Sequence, residues 1–337
     1  MRLLARSFPC IFNLIRPRDG RSPDRIPPAL PILGWLFLVV IASQFACAAS
    51  YQPTAPARLG QPVSLEQVEA SLATAGPIRF SRVVAAEWAV ARSGLLNLDH
   101  EKARAAGLED RSEPIEIFFY VLEHPTEGDF IVDSGVAEAF AAGGRHPGVS
   151  PIVEAAMNTE ALNVLVPMRA WLAARPRPLA GVFLTHLHLD HVMGLPDIPE
   201  STPVFVGPGE TEASAFLNAF TRGTIDRVIA RDEPLGEWQF GEEVALDVFG
   251  DGSVFVLHVP GHTPGSVAFA VRSTDGPRLL VGDTSHTRWG WENGVEPGSF
   301  TMDQEQNRAS LERLRRLAAE HPKMEVHLGH QRLDGED

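Results

Sequence analysis

Three histidines and an aspartate crowd into Thr185-His186-Leu-His188-Leu-Asp190-His191. In extended chain alternate side chains share a side, so His186 and His188 can face one point while Asp190 and His191 turn onto the other. One cation cannot easily use all four, whereas two cations a few ångströms apart can. Three more candidates follow. His262 stands in Pro260-Gly-His-Thr-Pro-Gly265, Asp283 in Val281-Gly-Asp-Thr284 and His330 in Leu328-Gly-His-Gln331. Each comes just after an apolar, β-rich run, where rigid backbone can fix the geometry of a ligand. A nitrogen and oxygen donor set suits zinc first, with iron and manganese accepting the same ligands.

The elements that must carry these residues can be read around them. The apolar, β-rich run Ile115–Leu122 predicts a strand, as do Phe130–Asp133, Gly181–Leu184 and Pro203–Val206. Four further strands are expected at Val244–Phe249, Val254–Val259, Ser266–Val271 and Arg278–Val281, and a last one at Glu325–Leu328. Ser64 followed by Glu66 and Gln67 opens a short helix, Leu65–Leu72. Residues 159–174 read as a helix kinked at Pro167, and another runs from about Glu210 to Phe220. Leu311, Leu314 and Leu317 mark the buried face of a helix over Met302–Glu320. Residues 50–65, rich in Pro, Ala and Gln, read as a linker, and residues 80–114 as an extension or lid. Strands in two groups with helices around them predict an α/β fold: two sheets packed face to face and covered by helices, a four-layer αββα sandwich. The domain reading is 1–48 as a signal peptide or membrane anchor, 49–114 as linker and extension, and 115–337 as the catalytic domain.

The motif His186-x-His188-x-Asp190-His191, with His262, Asp283 and His330 in order behind it, resembles the metallo-β-lactamase superfamily over residues 115–332. The resemblance implies roles. His186, His188 and His262 would bind one metal; Asp190, His191 and His330 would bind a second; Asp283 would bridge them. A hydroxide between the two metals would attack the substrate, and Asp190 would pass a proton to the leaving group. Asp133, in Val132-Asp-Ser-Gly135, matches a position that orients a ligand from behind. His286 stands where many lactonases of the superfamily carry a tyrosine that touches the substrate carbonyl oxygen, and a histidine can donate the same kind of hydrogen bond. The other reading of His286 is a loop histidine packed on Trp289 or Trp291.

Branch markers narrow the expectation. Aspartate at 283 departs from the cysteine or serine of true β-lactamases, and His188 departs from the glutamate of flavin-linked diiron reductases. Glu123-His124-Pro125 and Gly261-His-Thr-Pro-Gly265 are similar to the branch of N-acyl homoserine lactonases and organophosphate hydrolases. The expected reaction is hydrolysis of an ester-like bond, a lactone first, in a small molecule. Alternatives within the fold are a phosphotriester or β-lactam hydrolase, and a mononuclear iron oxidoreductase of the persulfide dioxygenase kind. The complete second triad argues against the last. His327 and His258 lie within strands and read as structural; His100, His124, His146 and His321 read as exposed.

Composition sets outer limits. The only cysteines are Cys10 and Cys47, so a thiolate-ligated metal, an iron–sulfur centre and a cysteine nucleophile are excluded from the body of the chain. The chain carries a formal charge of -14. Its first 48 residues hold six arginines and two aspartates, so the remainder is more acidic than the whole. An acidic body repels phosphate backbones, which excludes nucleic acid as the expected partner. An arginine-rich start, the apolar run Leu30–Ala42 and the small residues of Ala46-Cys47-Ala48 read as an export signal cleaved after Ala48. The expected location is periplasmic or secreted. Membrane association is expected only if that segment is retained or Cys47 is lipidated.

Overall fold

The structure is a computed structural model of the 337-residue chain. It describes residues 50, 52–141, 149, 153–154, 157–213 and 223–333. Residues 1–48, read as an export signal, His146 and most of the helix expected after Glu210 lie outside the described residues.

The strands among the described residues, in chain order, are β1 (Thr54–Pro56), β2 (Gln61–Val63), β3 (Arg79–Ala91), β4 (Ser112–His124), β5 (Gly128–Val132), β6 (Asn163–Val164), β7 (Leu179–Phe183), β8 (Val204–Val206), β9 (Leu235–Glu237), β10 (Ala245–Asp247), β11 (Val254–His258), β12 (Val267–Ser273), β13 (Gly276–Leu280) and β14 (Glu325–His327). Eight form one sheet in the order β1-β9-β8-β7-β5-β4-β3-β6. Six form the other in the order β14-β13-β12-β11-β10-β2. The run β1-β9-β8-β7-β5 is parallel throughout, and β13 pairs parallel with β14.

Alternation along β4 explains how the sheets stack. Phe118, Tyr120 and Leu122 point between the sheets, where they meet Phe183, Trp238, Val256 and Phe269. Ile117, Phe119 and Val121 point the other way, toward Phe140, Met168 and Val192. The outer face of the second sheet is covered by α1 (Leu65–Leu72) and the long helix Gln304–Glu320, through Val68, Leu72, Leu311, Leu314 and Leu317. The result is the αββα sandwich that the sequence predicts. The N-terminus of α1 closes as a capping box between Ser64 and Gln67.

Three local readings change. The stretch read as a linker contributes an edge strand to each sheet, β1 and β2. Residues 80–91, read as an extension, form most of β3, which pairs with β4 along nearly its whole length. A bulge between Val84 and Ala86 breaks its period of two, which hides it from pattern reading. Residues 159–174 are a 3-10 turn, then β6, then the helix Met168–Ala173. Pro167 caps that helix and does not kink it, because a proline inside would lose a backbone bond.

Candidate metal centre

All seven candidate ligands lie where chain leaves a strand at one end of the sandwich. The motif loop follows β7; His262 follows β11, Asp283 follows β13 and His330 follows β14. β11, β13 and β14 run in the same direction, so their C-terminal ends share one edge of the second sheet. The Val267 N–H donates to the Thr185 carbonyl at 2.9 Å, tying that edge to the loop leaving the first sheet. Asp190 and His191 sit on a single helical turn, Leu189–Val192, which rotates them away from His186 and His188.

Two groups of side chains converge there. His186, His188, His262 and Asp283 bring ligand atoms within 4.8 Å of one another, and so do Asp190, His191, Asp283 and His330. Asp283 belongs to both. Its Oδ2 lies 3.3 Å from His262 Nε2, 3.6 Å from His186 Nε2, and 3.4 Å from Nε2 of both His191 and His330. Asp190 Oδ2 lies 3.2 Å from His330 Nε2. His262 Nε2 approaches His186 Nε2 at 3.2 Å and His188 Nδ1 at 2.9 Å.

The far side of each ring shows which nitrogen faces inward. His330 Nδ1 donates to the Glu116 carbonyl at 3.0 Å, and His191 Nδ1 faces the Asp133 carboxylate at 2.8 Å. His262 Nδ1 meets the Thr301 hydroxyl at 3.1 Å, and His186 Nδ1 meets that of Thr185. These contacts turn Nε2 inward, where it can offer a lone pair to a metal. His188 is reversed, with Nδ1 inward. The buried atoms His188 Nε2, His191 Nε2 and Asp283 Oδ1 find no hydrogen-bond partner. Lone pairs packed this closely around a carboxylate repel unless a cation lies among them, so the donor set fits two divalent ions.

Protonation tendencies divide the cluster. Burial drives the His188 imidazole down to about 4 and holds His186 and His262 well below the usual histidine range. Burial acts in the same sense on His330, but Asp283 and Asp190 outweigh it and push that ring up to about 10. His191 is likewise driven up against burial, by Asp283, Asp133 and Asp190. The acidic half of the cluster therefore calls for positive charge, which a bound cation would supply.

Asp133 and Gly329 show what the geometry costs the backbone. Asp133 adopts φ 60°, unusual for a residue with a side chain. In that conformation its carboxylate accepts from the Thr185 N–H at 2.8 Å while holding His191. At Gly329 a Cβ would sit 2.2 Å from Asp283 Oδ1, so only glycine lets the chain pass beneath the central carboxylate.

The centre forms the floor of a cavity of about 580 Å³. Its apolar lining includes Trp88, Leu95, Ile115, Met157 and Phe300. His286 also lines it, with Nε2 at 3.0 Å from Asp283 Oδ2 and Nδ1 donating to the Leu95 carbonyl at 3.1 Å. Trp291 packs into the core beneath the helix Gln304–Glu320. Sequence reading missed Trp88, Leu95 and Phe300, whose only signal is apolar character in segments that looked irregular. His327 is buried against Phe80 and Tyr120, as a strand residue should be. His124, expected at the surface, is buried against Asp251, because β4 extends to its position.

Residues 114–330 match the model of the metallo-beta-lactamase superfamily. Among characterised proteins, the N-acyl homoserine lactonase AttM of Agrobacterium fabrum is 29% identical over 213 residues, 61% of this chain and 79% of that protein. AttM of Azorhizobium caulinodans is 31% identical over 210 residues, 60% of this chain and 78% of that protein. Among solved structures, a quorum-quenching N-acyl homoserine lactone lactonase superposes with TM-score 0.53 at 19% identity, over 76% of this chain and 94% of that chain. AidC, a dizinc quorum-quenching lactonase, superposes with TM-score 0.52 at 15% identity, over 78% of this chain and 90% of that chain. At these identities the structural likeness speaks for the fold.

Proposed function

The chain belongs to the metallo-β-lactamase superfamily, and from that premise we propose that it is a dinuclear hydrolase that opens lactones. His186, His188 and His262 would hold one divalent ion; Asp190, His191 and His330 would hold the second; Asp283 would serve both. The observation that carries this reading is the position of Asp283 Oδ2, within 3.6 Å of four inward-facing histidine nitrogens drawn from both groups. Zinc is the first expectation for such a donor set.

Two bound cations would supply electrophilic polarisation of a carbonyl and activation of water near neutral pH. The protein's own groups supply the rest. Asp190 lines the cavity, and its carboxylate is positioned to take the proton released by the attacking water and pass it to the departing alkoxide. The apolar wall of Trp88, Leu95 and Phe300 excludes water and accepts the non-reacting part of a substrate. His286 would touch the substrate beside Asp283. Its Nδ1 faces the Leu95 carbonyl and its Nε2 the Asp283 carboxylate, so Nε2 would reach a substrate oxygen by sharing or exchanging the Asp283 contact. Export is proposed on the sequence of residues 1–48 alone, with its arginines, its apolar run and its small residues at the cleavage position.

The decisive experiment is a substrate panel on protein of measured metal content: lactones, thioesters, aryl esters, phosphotriesters and a chromogenic β-lactam. The expected result is two ions per chain and turnover led by lactones. Clearly fewer than two ions, with no activity gained on adding zinc, manganese or iron, would falsify the reading.

A further inference from the structure

Glu210 is a buried carboxylate that the proposed chemistry does not use. It stands in the 3-10 turn Glu210–Glu212 just past β8 and is fully enclosed. Oε1 accepts from the Leu187 N–H at 2.9 Å, between His186 and His188. Oε2 accepts from the Thr263 hydroxyl at 2.7 Å and from the Gly265 N–H at 3.0 Å, in the loop that begins with His262. One carboxylate thus joins two loops that come from different sheets and together hold the whole first triad.

The backbone is built around this contact. A Cβ on Gly265 would meet Glu210 Oε2 at 2.7 Å, and one on Gly207 would meet the Gly265 carbonyl at 1.6 Å. Enclosing a carboxylate is costly unless every oxygen is satisfied, and an apolar side chain would fill the space at less cost. Burial does push the Glu210 carboxyl up, against the pull of Thr263, Leu187 and Gly265. What an apolar residue could not do is fix the distance between both loops through directed bonds.

We propose that Glu210 is a positioning residue that sets the spacing of His186, His188 and His262 around the first ion. The inference rests on the dinuclear reading above. Glu210 makes no bond to the loops of the second triad, where the Asp133 carboxylate holds His191 and the Glu116 carbonyl holds His330, so a change at Glu210 should fall on one ion site.

The test titrates zinc into metal-free full-length protein against a chromogenic chelator and resolves two binding steps. Glu210→Gln puts an amide N–H against one of the three donors. It should weaken one step about 10- to 100-fold and spare the other. Asp133→Asn, which bears on His191 directly and on His186 through the Thr185 hydroxyl, should weaken the opposite step most and the Glu210 step less. Thr263→Val should show a smaller loss in the Glu210 step, and Thr263→Ser should restore it. Unchanged binding in Glu210→Gln, even with a lowered melting temperature, overturns the proposal, and so does equal weakening of both steps. If Glu210→Gln does not fold, equal affinities for Thr263→Val and Thr263→Ser overturn it. A wild-type protein that binds only one ion refutes the dinuclear reading itself and takes this inference with it.

Discussion

The metal centre and the wall of the cavity meet at His286, yet they are built by opposite means. The centre draws its ligands from the ends of β7, β11, β13 and β14, and nearly every ring has its far nitrogen tied to backbone or to a fixed side chain. The wall comes largely from outside the region that matches the superfamily, through Trp88 at the far end of β3 and Leu95 in the turn after it. Trp88 is fixed by the pairing of β3 with β4, whereas the turn that carries Leu95 is fastened by loop contacts. Gly298 and Ser299 donate backbone bonds to Gly94 and Ser93, Asn97 bonds to Glu296, and Phe300 packs over Gly94. On the proposed function, reaction and selectivity would thus sit on separate pieces, the one enclosed at the strand ends, the other laid over it.

The sharpest way to break this division is at the shared carboxylate. Asp283→Asn removes the charge common to both groups and should lower kcat/KM on any substrate by about 1,000-fold or more, several kcal/mol of barrier. Kinetics on metal-quantified protein would check it, and an effect under tenfold would deny Asp283 its central place. Asp133→Asn acts one contact further out, because His191 loses its charged partner. A loss of about 10- to 100-fold in metal affinity is expected by chelator competition, with the fold kept by circular dichroism. On the wall, Trp88→Ala should raise KM about tenfold for substrates with a bulky apolar arm and leave kcat within a few-fold. A fall in kcat with KM unchanged would show that the wall takes part in the chemistry and that the two regions are not separate.

Legibility in the sequence follows the same division. His186, His188, Asp190 and His191 could be found because four donors share one loop, and His262, Asp283 and His330 because each follows an apolar strand with a glycine before it. The helix Gln304–Glu320 was legible from its leucine spacing. β3 was not, since its bulge disrupts alternation and its pairing with β4 is a long-range fact. Glu210 was not, since a glutamate at the expected start of a helix looks exposed until β8 carries it between two loops.

The sequence by itself determined the layer architecture, the donor set and the absence of sulfur from it, because periodicity and residue type are local properties of the chain. Only the tertiary structure decided which nitrogen of each histidine faces inward, that Asp283 lies between both groups, and that Trp88 and Leu95 close the space above them. Those facts depend on what stands behind each side chain, and the residues behind come from strands far apart in sequence whose register is fixed only when the two sheets pack.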